Sequence, residues 1–160
     1  MRIEVHAVGR LKSGPERELA NRYFDRLAKA APAIGLEFAG VGETPESRAR
    51  SHEERRREEG RQLSARLAPG TALFLLDERG KSLSSEEFAR RIAALRDGGR
   101  RALALAIGGP DGHDPALSST AELVLSFGAM TWPHQIVRLM LAEQLYRAVT
   151  ILAGHPYHRA

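Results

Sequence analysis

Three short apolar runs, separated by helix-like segments, constrain the fold of this chain more than any other feature. They are residues 71–77 (TALFLLD), 101–107 (RALALAI) and 122–127 (ELVLSF). Short, nearly continuous apolar runs are typical of parallel strands that are buried on both faces of a sheet. Because helical segments stand between them, the pattern predicts an α/β fold with a mostly parallel sheet and helices on both faces.

Two further strands and several helices extend this alternation. Residues 2–8 and 34–41 alternate polar and apolar side chains, which predicts a strand in each. No internal repeat or linker interrupts the chain, so we expect a single domain. Five helices are predicted. They cover 15–31, about 44–67 after Thr44-Pro45, 84–97 after the capping box of Ser84, a short helix that starts at Asp114-Pro115, and 133–152.

Composition excludes several kinds of chemistry. The 160 residues include no cysteine, which excludes disulfides, zinc–thiolate sites, iron–sulfur clusters and a catalytic thiol. No apolar run reaches the roughly 18 residues that a membrane span needs. The N-terminal segment carries Glu4 and lacks the apolar stretch of a signal peptide. We therefore expect a cytoplasmic protein with no membrane partner.

The charge of the chain permits an anionic partner without requiring one. The net charge is +4, and arginines outnumber lysines 21 to 3. Arginine suits bidentate contacts with phosphate, but biased codon usage gives the same ratio. Residues 46–66 contain 12 charged side chains in 21 positions. A helix that is polar all round is either solvated, which we favour here, or in contact with a partner such as RNA.

Three of the predicted strands end in unusual loops, at 76–82 (LDERGKS), 107–112 (IGGPDG) and 126–133 (SFGAMTWP). Ligands of parallel sheets bind outside the carboxyl ends of the strands. Two standard motifs do not fit these loops. Residues 80–82 are like the end of a phosphate-binding P-loop, but Leu75 occupies the position of its first glycine, and 108–112 depart from the dinucleotide-binding pattern. Alone, the glycines at 108–112 indicate a tight turn.

The C-terminal segment 155–159 (HPYHR) concentrates polar chemistry, with two histidines, a tyrosine and an arginine in five positions. His155 and His158 have no third ligand nearby in the sequence. We therefore expect no metal site, and a polar segment without a role is the plain alternative.

Five motifs together resemble those of the bacterial large-subunit ribosomal RNA pseudouridine N3-methyltransferases of the SPOUT class. Segments 7–12 and 76–82 also match, so the resemblance covers the whole chain and diverges mainly at 46–66. The motifs are 107–112, 125–134 (LSFGAMTWPH), Arg138, 142–148 (AEQLYRA) and 155–159.

The resemblance implies one SPOUT domain over residues 1–160, with a trefoil knot at about 100–160, that forms a homodimer. It implies S-adenosylmethionine as methyl donor, with no metal, and N3 of a pseudouridine in 23S rRNA of the assembled ribosome as the target. The cofactor contacts of the family fall on Leu76, Gly109, Gly128, Ala129, Met130, Thr131, Trp132 and Pro133.

The resemblance also points to Tyr157, His158 and Arg159 as the catalytic residues. N3 of pseudouridine is a weakly acidic imide that must lose its proton. We expect His158 to accept or orient that proton, Arg159 to bind an anion or phosphate, and Tyr157 to stack or hydrogen-bond. The segment lies far from the cofactor loops in sequence but could reach one across a dimer interface.

The final helix gives a separate reason to expect a homodimer, because its apolar surface is wider than one stripe. A central core helix of a monomer is the alternative. Two other functions also stay open. A non-enzymatic RNA- or ribosome-binding module would explain the charge but leave the three loops as turns. A SPOUT methyltransferase with another RNA target would keep the cofactor loops.

Overall fold

The computed structural model describes residues 1–158 and contains a five-stranded sheet. Its order is β2-β1-β4-β3-β5, and all four pairings are parallel. The predicted α/β class is confirmed. In chain order the elements are β1 (Arg2–Val8), α1 (Pro15–Ala30), β2 (Glu37–Thr44), α2 (His52–Ser64), β3 (Ala72–Ser82), α3 (Ser85–Asp97), β4 (Ala102–Ile107), α4 (Pro115–Thr120), β5 (Leu123–Ser126) and α5 (His134–Leu152).

Helices cover both faces of this sheet, as predicted. On one face α1, α3 and α5 bury side chains such as Leu27, Ile92 and Leu145 against the strands. On the other face α2 and α4 contribute Leu63 and Leu117. Burial on both faces explains why the runs that became β3 and β4 are almost continuously apolar.

The second strand lies further along the chain than predicted. It covers Glu37–Thr44 and not 34–41, because residues Ala31–Ile34 form a 3₁₀ turn. Gly35 ends that turn in the left-handed conformation, which glycine adopts without steric cost. The apolar residues before Gly35 therefore pack in the turn and not in the sheet.

The start predicted for the charged helix at Thr44-Pro45 is wrong, because Thr44 is the last residue of β2. The helix begins instead after Ser51, whose side chain accepts from the backbone of Glu54 in a capping box. Helix α2 is also not exposed to solvent on every side. Its buried positions are Glu59, Gly60 and Leu63.

Strand β3 continues to Ser82, past the predicted end at residue 77. Its pairing with β5 shifts register between Leu76 and Lys81, so the residues between them form an excursion of the strand. Gly80 lies in this excursion against β5, where a Cβ atom would stand 2.7 Å from backbone atoms of Val124 and Leu125. Glycine is therefore required for the close approach of the two strands.

Helix α5 packs against both α1 and α3 and fully buries Leu141, Leu145 and Val149. Contacts within one chain thus account for much of its wide apolar surface. The homodimer, the single domain over 1–160 and the knot at 100–160 stay predictions of the resemblance.

Candidate active site

A crevice of about 230 Å³ lies at the carboxyl ends of β4 and β5, beside the point where β3 leaves the sheet register after Leu76. These strands are neighbours in the sheet, so the loops that follow them meet at one edge. Ala129 and Pro133 are exposed residues of the β5 loop beside the crevice and do not line it. The predicted cofactor residues that line the crevice are Leu76, Gly109, Gly128, Met130, Thr131 and Trp132.

The β4 loop (residues 108–112) is a tight turn that is tied to the end of β3. Within it the backbone N–H of Gly112 donates to the carbonyl oxygen of Gly109 at 3.0 Å. The buried ring of His113 places Nε2 3.1 Å from the carbonyl oxygen of Leu76, so Nε2 is the donor. Burial lowers the pKa of His113, which keeps the imidazole neutral. His113 was not predicted, although its place directly after the glycine loop was a usable signal.

Two carboxylates stand at the rim of the crevice. Asp77 Oδ1 accepts from the backbone N–H of Arg79 at 2.9 Å and from its Nε at 3.1 Å. The hydrogen bond from the Arg79 side chain holds the pKa of Asp77 below its usual range. The Glu78 carboxylate accepts from Thr131 Oγ1 at 3.2 Å, which joins the excursion of β3 to the loop after β5. The rim therefore carries negative charge on an ordered frame.

The β5 loop (residues 127–133) exposes two large apolar side chains. Met130 is 73% and Trp132 is 42% exposed. Both side chains also line the crevice, so the wall on this side of the crevice is apolar and open to solvent.

Tyr157 packs against the helical side of the molecule and not in the crevice. Its hydroxyl donates to Glu143 Oε1 at 3.1 Å, and its ring centroid lies 4.8 Å from that of Tyr146. The Arg147 guanidinium lies 5.0 Å from the centroid of the Tyr157 ring. Burial raises the pKa of Tyr157. Tyr157 thus has a packing role that the sequence did not indicate.

His158 lies between two charged side chains. Its Nε2 is 2.6 Å from Glu86 Oε1, and its Nδ1 is 3.4 Å from Arg147 Nη1. Because Arg147 can only donate, Nδ1 accepts and Nε2 donates to Glu86. Arg159 lies outside the described residues. The structure thus brings six cofactor candidates together and places Tyr157 and His158 elsewhere in the same chain, so their catalytic roles stay predictions.

A second cavity, of about 530 Å³, separates the C-terminal segment from the crevice. Its lining includes Tyr23 and Glu143, which contact Tyr157. Phe127 and Gly128 line both the second cavity and the crevice. The β5 loop is therefore a wall that the two cavities share.

Within residues 1–158, no three histidine, aspartate or glutamate side chains cluster as metal ligands would. In the same part of the chain, none of the helices is long and apolar enough to span a membrane.

Comparison with known proteins identifies the family. Residues 1–158 match the family model described as "Predicted SPOUT methyltransferase". The chain therefore belongs to the SPOUT methyltransferase family, which confirms the predicted family and class of enzyme. A ribosomal RNA large subunit methyltransferase H from Mesorhizobium japonicum is 69% identical over 160 residues, covering 100% of both chains. A protein of the same name from Rhizobium meliloti is 65% identical, and the match covers 100% of both chains. Another from a Chelativorans species is 67% identical, and the match covers 99% of this chain and 91% of that one.

One solved structure is more distantly similar. It is the SpoU methyltransferase AviRb from Streptomyces viridochromogenes in complex with AdoMet, with a TM-score of 0.40 and 13% sequence identity. The match covers 96% of this chain and 61% of that one. A similarity this low carries no argument about the site.

Proposed function

We propose that this protein transfers the methyl group of S-adenosylmethionine to N3 of a pseudouridine in 23S rRNA, in the cytoplasm and on the assembled ribosome. The observation that carries the proposal is the meeting of three strand-end loops at one crevice in a SPOUT-family chain. Relatives that are 69% and 65% identical over their full length are named as large-subunit ribosomal RNA methyltransferases. That name supports the class of RNA.

The residues of the crevice suit this cofactor. Leu76 and Trp132 offer apolar surface for an adenine ring, and the bare backbone at Gly109 offers polar groups at its edge. The carboxylates of Asp77 and Glu78 favour a positively charged sulfonium. When bound, the cofactor supplies an electrophilic methyl group. The chain's own part is to hold the acceptor in line with that methyl, because positioning dominates such transfers.

A homodimer would complete the crevice. Its volume of about 230 Å³ lies below the lower end, roughly 300 Å³, of typical small-molecule pockets. A second copy that covered Met130 and Trp132 would deepen the crevice and remove apolar surface from water. It would also offer a second C-terminal segment to the same site.

Tyr157, His158 and Arg159 act on the RNA in this proposal. His158 accepts or orients the imide proton, and Arg159 binds the developing anion or a phosphate. Tyr157 stacks or hydrogen-bonds with the RNA. Its packing on Tyr146 would also fix the direction of the segment.

The proposal is tested by two measurements on one preparation. Calorimetry gives the Kd for S-adenosylmethionine, and mass spectrometry locates the methyl group after reaction with ribosomes from a strain that lacks the enzyme. We expect cofactor binding and 3-methylpseudouridine in the large-subunit RNA. A methyl group elsewhere would indicate another RNA target. A protein that binds ribosomes but no cofactor would be a binding module, and the proposal would be wrong.

The C-terminal residues allow a sharper test. His158→Ala should lower the methylation rate by about 10²–10⁴-fold, the usual range for a general acid–base group, with an unchanged Kd for the cofactor. Lys29→Ala is the control, because Lys29 is an exposed side chain outside the segment that lines neither cavity. His155 is unsuitable as a control, since its Nδ1 accepts from the backbone N–H of Tyr157 at 3.1 Å. A truncation that ends at Pro156 and still methylates at full rate would refute the role of the segment.

A further inference from the structure

Helix α2 follows the β4 loop over two turns. His52 and Arg55 contact Asp111 at the tip of the loop, and Glu59 lies beside Gly109. Positions 52, 55 and 59 are three and four residues apart and therefore share one face of the helix. This face of the charged helix is directed at the loop, with Glu59 buried and His52 still exposed to solvent.

The contact at Asp111 is a two-pronged ion pair. Arg55 Nε donates to Asp111 Oδ2 at 2.6 Å, and Arg55 Nη2 donates to Oδ1 at 3.2 Å. His52 Nδ1 also contacts Oδ1. Arg55 Nη1 donates to the carbonyl oxygen of Ala49 at 3.0 Å, so the guanidinium is itself held in place. Such paired, charge-assisted bonds fix direction as well as distance.

The Asp111 carboxyl is held in its ionised form. Hydrogen bonds from Arg55 and His52 hold the pKa of Asp111 well below its usual range. The ion pair is therefore present at neutral pH.

Glu59 supports the loop from behind. Its carboxylate is buried, with 6% of the residue exposed, and accepts from the backbone N–H of Ser47 at 2.9 Å. A Cβ atom at Gly109 would stand 2.8 Å from Glu59 Oε2. A side chain at position 109 would therefore collide with Glu59 on α2. The wall that Gly109 gives to the crevice is thus backed by this helix.

The loop needs such support because of its own composition. Three of the five residues from 108 to 112 are glycine, and glycine loses the most conformational freedom on ordering. One backbone hydrogen bond, from Gly112 to Gly109, closes the turn. A loop that is already ordered binds its ligand more tightly than one that must be ordered on binding.

We propose that Arg55 is a positioning residue for cofactor binding, which holds the β4 loop in its binding conformation through Asp111. The inference rests on the proposed function, since it takes S-adenosylmethionine as the ligand of the crevice. The proposal assigns the charged region 46–66 a role in cofactor binding, whereas the sequence alone indicated a solvated surface or contact with RNA.

The experiment compares Arg55→Gln, Asp111→Asn and the double variant with the wild-type protein. Each single change should raise the Kd and the KM for S-adenosylmethionine about tenfold, as expected if the loop keeps its binding conformation about one-tenth of the time. The kcat at saturating cofactor and the KM for ribosomes should stay near wild type. The double variant should bind no more weakly than the singles, because both remove the same contact. Arg55→Lys keeps the charge but not the fork, so it should restore affinity only in part.

Arg57→Gln is the matched control, because Arg57 is an exposed arginine of the same helix. Its Kd for the cofactor should equal that of the wild type. Wild-type binding is measured first, because its absence would overturn the proposed function. With wild-type binding established, an unchanged Kd in a folded Arg55→Gln protein would overturn the positioning role alone. An equal loss in Arg57→Gln would do the same. If Arg55→Gln fails to fold, Arg55→Lys decides by the same criterion, because Asp111 itself lines the crevice and Arg55 does not.

Discussion

Arg138 links the final helix to the beginning of the chain, and its removal should weaken the fold in a pH-dependent way. Its buried side chain donates from Nη2 to the carbonyl oxygen of Gly9 at 3.1 Å and pairs through Nη1 with Glu43. Glu43 also accepts from the backbone N–H of Leu11 at 3.0 Å. Arg138→Met keeps much of the side-chain volume and deletes the charge. It leaves Glu43 without its cation.

The size of the effect follows from the burial of the pair. Removal of one partner from a buried ion pair costs roughly 3–5 kcal/mol. Here 32% of the Glu43 side chain is exposed, so water can solvate the remaining carboxylate. We therefore expect the free energy of unfolding to fall by about 2–3 kcal/mol at pH 7. For a domain of this length that corresponds to a fall in Tm of about 4–12 °C.

The pH dependence identifies the carboxylate as the cause. Burial alone would raise the pKa of Glu43, but hydrogen bonds from Leu11 and Arg138 outweigh it and lower the pKa. A carboxyl with a lowered pKa stabilises the fold above its unfolded pKa, about 4.3, and this stabilisation is lost as the pH falls through the folded value. The difference between wild type and Arg138→Met should therefore shrink below about pH 4.

Urea denaturation at pH 7 and at about pH 3, followed by circular dichroism, measures this difference. Glu43→Gln is the companion variant, which removes the same pair from the other side and should lose the same pH dependence. A difference that stays constant over this range would refute the electrostatic reasoning. So would a loss below about 1 kcal/mol at pH 7, the value of an exposed ion pair.

Gly80 and Trp132 each allow a further test. Gly80→Ala should lower the free energy of unfolding by about 1–3 kcal/mol or more, because its Cβ would stand 2.7 Å from backbone atoms of β5. A thermal melt measures this, and an unchanged Tm would show that the two strands can separate without cost. Trp132→Ala should lower both the dimer fraction in light scattering at micromolar concentration and the affinity for S-adenosylmethionine. A wild-type particle of 17.6 kDa would contradict the dimer itself.

Much of the fold was predictable because its signals are local. An apolar run that ends in a glycine or polar loop indicates a buried strand from its own residues, and β4 lies almost where its run predicts. The capping box of Ser84 likewise marks the start of α3. At Thr44-Pro45 the local signal of a helix start was misleading. The pairing of Val8 with Thr44 places Thr44 in the sheet, and such pairing is not visible in the sequence.

The place of the candidate site could also be predicted from the sequence, but the contacts that support it could not. Three loops could be expected to meet because parallel strands put their carboxyl ends at one edge. The contact between Arg55 and Asp111 joins residues 56 positions apart, and the contact between Tyr157 and Tyr23 joins residues 134 apart. No periodicity connects such pairs. They arise when helices dock on the sheet, so the support for the loop and the packing of the C-terminal segment had to come from the structure.

In the proposed enzyme the β5 loop takes part in cofactor binding, in dimerisation and in shaping the second cavity. Experiments can therefore separate these roles only through residues outside the loop. Its Gly128 lines both the crevice and the second cavity, and its Met130 and Trp132 would meet the partner protomer. A substitution in this loop therefore changes cofactor affinity, dimerisation and the surroundings of the C-terminal segment together. Arg55 reaches the crevice through a different loop, and His158 contacts Glu86 and Arg147, which line neither cavity. A change in cofactor affinity alone, or in methylation alone, can therefore be assigned to those residues and not to the shared wall.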